Sequence, residues 1–345
     1  MTGAAAMSST PRVSPSLRAS STPGCSKTHT QAVPRAPLLA VAVLLATLIV
    51  QSAGAVVKGD ERVLVVLATS GPKPYTVGDV EQTAAQARDF FSTASFGQVR
   101  LRVDVTPWLP AFDGNPGCGG GTNRSLENVV APARVAADQA GFDSSRYDDV
   151  IYTIADSHCG FHGVTWGHEV MLTRQPNLQL LVHELGHAFG LGHAQASDCI
   201  TAAGLCALDE TGDPFSPMGN GELDFSAYEK VTLGWIRPQP HVTAAKRYVL
   251  ATPTSLSKLT QALIVDTEAG AWWIEYRSRP FRGLLFRFVD NTVVPSPFAQ
   301  SAVLITKPTK AKRPWLALGE SYRIPGSFRV TLTKAAGGRA EVRLR

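Results

Sequence analysis

The chain has no C-x-x-C pair, no Gly-Lys-Ser/Thr after its glycine-rich stretch and no D-x-D-x-D-G loop. The first absence argues against a cysteine metal site, the second against a phosphate cradle and the third against an EF-hand calcium site. Charge is sparse at 18%, and no run of like charge is long enough to form a nucleic-acid arm, so no nucleic-acid partner is expected. The longest apolar run, Leu38 to Val50, has thirteen apolar or small residues and is short for a membrane span. Residues 1–55 contain no acid at all.

That run and its flanks have the layout of an export signal. Residues 1–37 are rich in Ser, Thr, Pro and Ala and carry Arg12, Arg18, Lys27 and Arg35. The run itself fits an h-region, and Ala53-Gly54-Ala55 fits an A-x-A cleavage site, so residues 1–55 are expected to be a signal peptide. The alternative is an uncleaved N-terminal anchor, the one route by which a membrane would be a partner. Without residues 1–55 the chain has 29 basic and 28 acidic residues, and capture of a polyanion is not expected from that balance. Cys25 falls in the leader. Cys118, Cys159, Cys199 and Cys206 remain, an even number in an exported context. Four cysteines allow three pairings; Cys199–Cys206 with Cys118–Cys159 is favoured because the former encloses a short loop.

The 345 residues are enough for two domains. Val63 to Thr69 reads as a buried strand, Val77 to Thr93 as a helix, and Phe96 to Trp108 as an alternating, half-exposed strand. After a glycine-rich loop over residues 112–124 come a helix from Leu126 to Ala140 and a strand from Asp149 to Ala155. Gly163 to Leu172 reads as one edge strand, open to pairing with an extended substrate. His158, His162 and His168 lie around it; a disulfide-tied loop is preferred there to a second metal site. Residues 195–217 read as a solvated loop whose acids, Asp209, Glu210 and Asp213, lack a calcium pattern. A helix from Phe225 to Leu233 follows. From about Arg237 onward short β-rich runs recur between turns, which predicts an all-β sandwich-like domain over residues 237–345 after a domain over 56–236. Trp272, Trp273 and Trp315 are expected to pack rather than to form a carbohydrate platform.

The densest chemistry is HELGHAFGLGHA, from His183 to Ala194. In a helix Leu178 to Phe189, His183 and His187 lie one turn apart on one face and can close on one metal ion. Gly190 can take a positive φ, which ends the helix and turns the chain so that His193 arrives as a third ligand. Three protein ligands leave a zinc position open, the mark of a catalytic site. Glu184 sits beside the first ligand and can reach a metal-bound water.

HELGHAFGLGHA followed by Ser216-Pro217-Met218-Gly219 resembles the metzincin zinc endopeptidases, and the order of segments is most similar to the gametolysin-like peptidases. The similarity extends to FFSTASFGQVRL, to Asp213–Gly219, to LGWI and to WIEYRSRP with GLLFRFVD. It implies an α+β metzincin-like zincin domain with a mixed twisted sheet and an active-site helix. It also implies one catalytic Zn2+ on His183, His187 and His193, with Glu184 as base and Gly190 and Met218 as structural support. The activity implied is secreted metalloendopeptidase hydrolysis of extracellular or cell-wall proteins through a zinc-bound water activated by Glu184, by a monomer. The alternative is an inactive secreted binding module on the same scaffold. Two departures stand out. Gly219-Asn220-Gly221 holds no tyrosine after the methionine, leaving Tyr228 as a remote candidate. Little chain lies between Val56 and the first strand for a latency propeptide, and a cysteine switch is not expected.

Overall fold

A continuous apolar run places β1 (Gly59–Thr69) inside a sheet, between two other strands, where both faces are covered. The computed structural model describes residues 56–118, 123–155, 159–201, 204–290, 302–309 and 313–345. The leader with Cys25 and its cleavage site, Gly119 to Thr122 of the glycine-rich loop, and His158 lie outside them. Next come α1 (Val77–Ala94), β2 (Val99–Pro110), α2 (Asn123–Gln139), β3 (Asp149–Ile154), β4 (Gly163–Trp166) and β5 (Glu169–Leu172). These strands form one sheet in the order β2-β1-β3-β5-β4, parallel except for the edge strand β4. A capping box of Thr76 and Asp79 starts α1, satisfying two otherwise orphaned backbone donors.

The expected single edge strand over Gly163 to Leu172 is instead the hairpin β4–β5. Gly167, at φ +63°, turns the chain and pairs Trp166 with Glu169. Helix α3 (Leu178–Ala188) carries the histidine motif. Asn177 caps it by accepting from Leu180 N at 2.8 Å. Its buried Leu181, Val182 and Leu185 share an apolar cluster with Phe91 of α1 and with Phe225 and Trp235.

The segment read as a solvated loop contains β6 (Ala194–Ser197), β7 (Ile200–Thr201), β8 (Gly204–Leu205) and β9 (Leu208–Asp209), ahead of α4 (Ala227–Thr232). The β-rich remainder forms β10 (Arg247–Ala251), β11 (Ala262–Thr267), β12 (Gly270–Arg277), β13 (Gly283–Asp290), β14 (Ala302–Ile305), β15 (Ser321–Arg323), β16 (Arg329–Ala336) and β17 (Arg339–Leu344). One antiparallel sheet runs β10-β17-β16-β15, and a second runs β11-β12-β13-β14-β6-β9. The two bury a shared apolar cluster that includes Leu250, Trp272, Phe286, Leu332 and Val342. The second sheet does not stop at position 237. Strand β6, which directly follows His193, pairs in parallel with β14, from Ala194 opposite Ala302 to Ser197 opposite Ile305. The fold is thus a mixed α+β arrangement of several sheets and few helices. Among the described residues no helix is long and apolar enough to cross a membrane.

Candidate metal centre

One turn of α3 separates His183 from His187, and their Nε2 atoms lie 3.1 Å apart. The helix ends where the sequence places a glycine. Gly190 has φ +91°, and Leu191 N donates to Gly186 O at 2.9 Å, closing the helix end. The chain then turns back and brings in His193. Its ring centroid is 5.3 Å from that of His183 and 4.8 Å from that of His187. One ligand atom from each of the three histidines lies within 4.8 Å of the others. No other group of three His, Cys, Asp or Glu residues is so placed among the described residues.

The second nitrogen of each ring fixes its tautomer. Nδ1 of His183 lies 2.8 Å from Pro217 O, Nδ1 of His187 2.8 Å from Leu191 O, and Nδ1 of His193 3.0 Å from Glu210 Oε1. An Nδ1–H donated outward leaves the Nε2 lone pair facing inward, the form that ligates a metal. Burial keeps the first two rings neutral: it lowers the pKa of His183 and takes that of His187 down to about 3. Converging imidazoles held by outer hydrogen bonds fit a borderline divalent transition metal better than calcium or magnesium, which take oxygen ligands.

Glu184 lies on the same helix and is only 4% exposed. Its Oε2 accepts a 2.6 Å hydrogen bond from Thr165 Oγ1 on β4. Burial raises its pKa to about 7, and the Thr165 bond opposes that rise. Gly163 makes room for the carboxylate: a Cβ there would sit 2.3 Å from Glu184 Oε1. Neither Thr165 nor Gly163 stands out in the sequence, because the pairing of β4 with β5 is what carries them to α3.

Met218 is fully buried beneath the helix. A Cβ on Gly186 would lie 2.3 Å from Met218 Sδ, so the first glycine of the motif is the seat for this methionine. The turn is pinned from several sides. Gln179 Nε2 donates to Gly219 O at 3.2 Å, Ala194 N to Met218 O at 2.8 Å, and Met218 N to Ser216 Oγ at 3.1 Å. Added Cβ atoms on Gly219 and Gly221 would strike the backbone of Asp213 and Phe215.

Asp213 corrects the reading of its loop as solvated. It is fully buried, and its Oδ1 accepts from Phe215 N and Ser216 N at the start of the turn. Its Oδ2 accepts from Nε and Nη2 of Arg287 on β13, at 3.0 and 2.7 Å. Arg287 Nη1 also lies 2.9 Å from Glu275 Oε1, and Glu275 takes a 2.7 Å bond from Arg277 Nε. Burial would raise the Glu275 pKa, but Arg277 and Arg287 beside it pull it down to about 2. A chain of buried ion pairs thus joins the turn under the histidines to the β-rich region. A lone Asp, Arg or Glu in sequence gives no sign of a partner some 70 residues away.

Other candidates lie elsewhere. Nδ1 of exposed His168 pairs with Asp149 at 2.9 Å. The Tyr228 ring packs edge-on to Trp273 in an apolar cluster with Ile236 and Ile264. Trp272 is core, and Trp315 stacks on Phe281. Disulfides join Cys118 to Cys159 and Cys199 to Cys206.

No family profile matches the chain, and no curated protein matches it. Among solved structures, one titled "Structure of a chaperone-substrate complex" aligns with 52% of this chain at 12% identity and a TM-score of 0.31. The alignment spans 34% of that protein, and similarity at this level carries no argument about fold or function.

Proposed function

We propose that the chain is a secreted zinc metalloendopeptidase of the metzincin kind, gametolysin-like, acting on extracellular or cell-wall proteins. One observation carries the reading: three outward-bonded imidazoles converge beside a buried glutamate on the same helix. His183, His187 and His193 would hold the zinc through Nε2. When bound, zinc polarises a carbonyl and makes water acidic near neutral pH.

The remaining chemistry belongs to the chain's own groups. Glu184, with a pKa near 7, takes a proton from the attacking water and returns it to the leaving amine nitrogen. Thr165 holds one carboxylate oxygen, which leaves Oε1 to handle the proton. Strand β4 pairs with β5 on one side only, and its free edge suits an extended peptide laid alongside. The two disulfides accord with an oxidising compartment, and the layout of residues 1–55 supports export.

Glu184→Ala tests this reading. It should retain stoichiometric metal by atomic mass spectrometry while casein cleavage falls at least ~100-fold, the scale of losing a general base. Cleavage at the wild-type rate would overturn the assignment of Glu184. A wild-type protein that binds metal and cleaves nothing in a peptide library would favour a binding module.

A further inference from the structure

The near-neutral balance of the chain beyond residue 55 conceals a division of charge. Residues 56–236 carry 11 Lys and Arg against 22 Asp and Glu, whereas residues 237–345 carry 18 against 6. Six of these 18 are arginines gathered on one sheet face. In the sheet β10-β17-β16-β15, alternate residues face the apolar cluster: Leu250, Val330, Leu332, Ala340, Val342 and Leu344 are buried there, and Tyr248 and Tyr322 pack against it. The opposite face carries Arg247, Arg323, Arg329, Arg339, Arg343 and Arg345.

Register makes this more than composition. Arg247 lies directly across from Arg343, Arg323 from Arg329, and Arg329 exchanges both backbone hydrogen bonds with Arg345. Like charges opposed across strands destabilise a sheet, and anions laid over them offset that cost. The acid on this face is Glu341, 3.7 Å from Arg247 and 3.6 Å from Lys334. Among the described residues no acid pairs with Arg323, Arg329, Arg343 or Arg345. Hydroxyls of Ser321, Thr331 and Thr333 stand between the arginines. The guanidinium roots repeat about every 7 Å along a strand and about 5 Å between strands.

We propose that this face docks the chain onto a linear anionic polysaccharide, whose sulfates or carboxylates the arginines bridge. The other common polyanions fit less well. Single-stranded nucleic acid calls for aromatic platforms, and the sheet's tyrosines, Tyr248 and Tyr322, lie on its other side, against the apolar cluster. Duplex DNA calls for a helix or ribbon that enters a groove, and this face belongs to a four-stranded sheet. A membrane-docking surface pairs basic residues with large apolar side chains, and Val249 alone of that kind is exposed on these strands. The inference is independent of peptide hydrolysis, since none of these residues belongs to the histidine site.

The test is binding to immobilised dextran sulfate and polygalacturonate, with neutral dextran, phosphatidylglycerol vesicles and a duplex oligonucleotide as comparison arms. One or both anionic polysaccharides should bind best, and affinity should fall about tenfold or more as salt shortens the screening length from ~14 to ~6 Å. The two anionic arms separate sulfate from carboxylate recognition. The triple variant Arg323→Ser, Arg329→Ser, Arg343→Ser should weaken binding about tenfold, whereas Lys73→Ser, Arg88→Ser, Arg146→Ser should not. On the unmodified protein, dextran sulfate or polygalacturonate should shield Arg323, Arg329 and Arg343 from phenylglyoxal, a readout that needs no variant to fold. No binding, equal loss in both triples, unshielded arginines, or tighter binding to vesicles or duplex would overturn the proposal.

Discussion

At the scale of single residues, the proposed chemistry turns on Glu184 and its two neighbours on β4, Gly163 and Thr165. The Thr165 hydroxyl lowers the Glu184 pKa, so removing it raises that pKa further. A base must be ionised to work, and Thr165→Val should therefore move the acidic limb of kcat/KM to higher pH. A pH–rate profile checks this, and an unmoved limb would count against Glu184 as the base. Gly163→Ala should act on the same carboxylate by displacement, since the added carbon would occupy the place of Oε1. Activity should fall more than tenfold with the metal still bound, measured by turnover and metal content together. The convergence of His183, His187 and His193 and the place of Glu184 beside them are legible in the sequence, because helical spacing and a helix-ending glycine fix them locally. Thr165 and Gly163 are not, because their place depends on a strand register that no local pattern encodes.

Secondary-structure elements show the same division. Helices α1 and α3 follow from caps and apolar periodicity, and β1 from its unbroken apolar run. The hairpin at Gly167 is not legible in the sequence, because a lone glycine within a short strand-like run does not show that it takes a positive φ. The turn carrying Met218 depends on a buried ion chain whose partners come from β12 and β13. Arg287→Met would leave Asp213 and Glu275 buried without their common cation. It should cost about 3–5 kcal/mol in urea unfolding, the scale of breaking a buried pair from one side. Glu275 adds a pH signature. Its folded pKa of about 2 lies below the unfolded value of 4.5, so its stabilisation is full above pH 4.5 and lost as pH falls toward 2. Urea midpoints followed across that window should fall with pH more steeply in the wild type than in Glu275→Gln.

At the scale of the whole molecule, the histidine segment is tied to strands of the β-rich region. His193 is followed at once by β6, whose parallel partner is β14, and Asp213 under the site is held by β13. Residues 56–236 expressed alone should fail to fold cooperatively, as differential scanning calorimetry would show, because they lose both β14 and Arg287. Sequence composition marked the β-rich region correctly, since alternating short runs and turns are local features. That this region shares a sheet with the histidine segment was not legible, because the pairing of Ala194–Ser197 with Ala302–Ile305 joins segments over 100 residues apart.

The central claim is that three histidines hold a metal which Glu184 turns to peptide hydrolysis. The most direct measurement is metal content by inductively coupled plasma mass spectrometry on one preparation, paired with casein cleavage before chelation, after chelation and after zinc is restored. One equivalent of zinc, with cleavage abolished by the chelator and recovered with the metal, is the predicted result. Stoichiometric cleavage by metal-free protein, or zinc bound equally by His183→Ala, His187→Ala and His193→Ala variants, would contradict it.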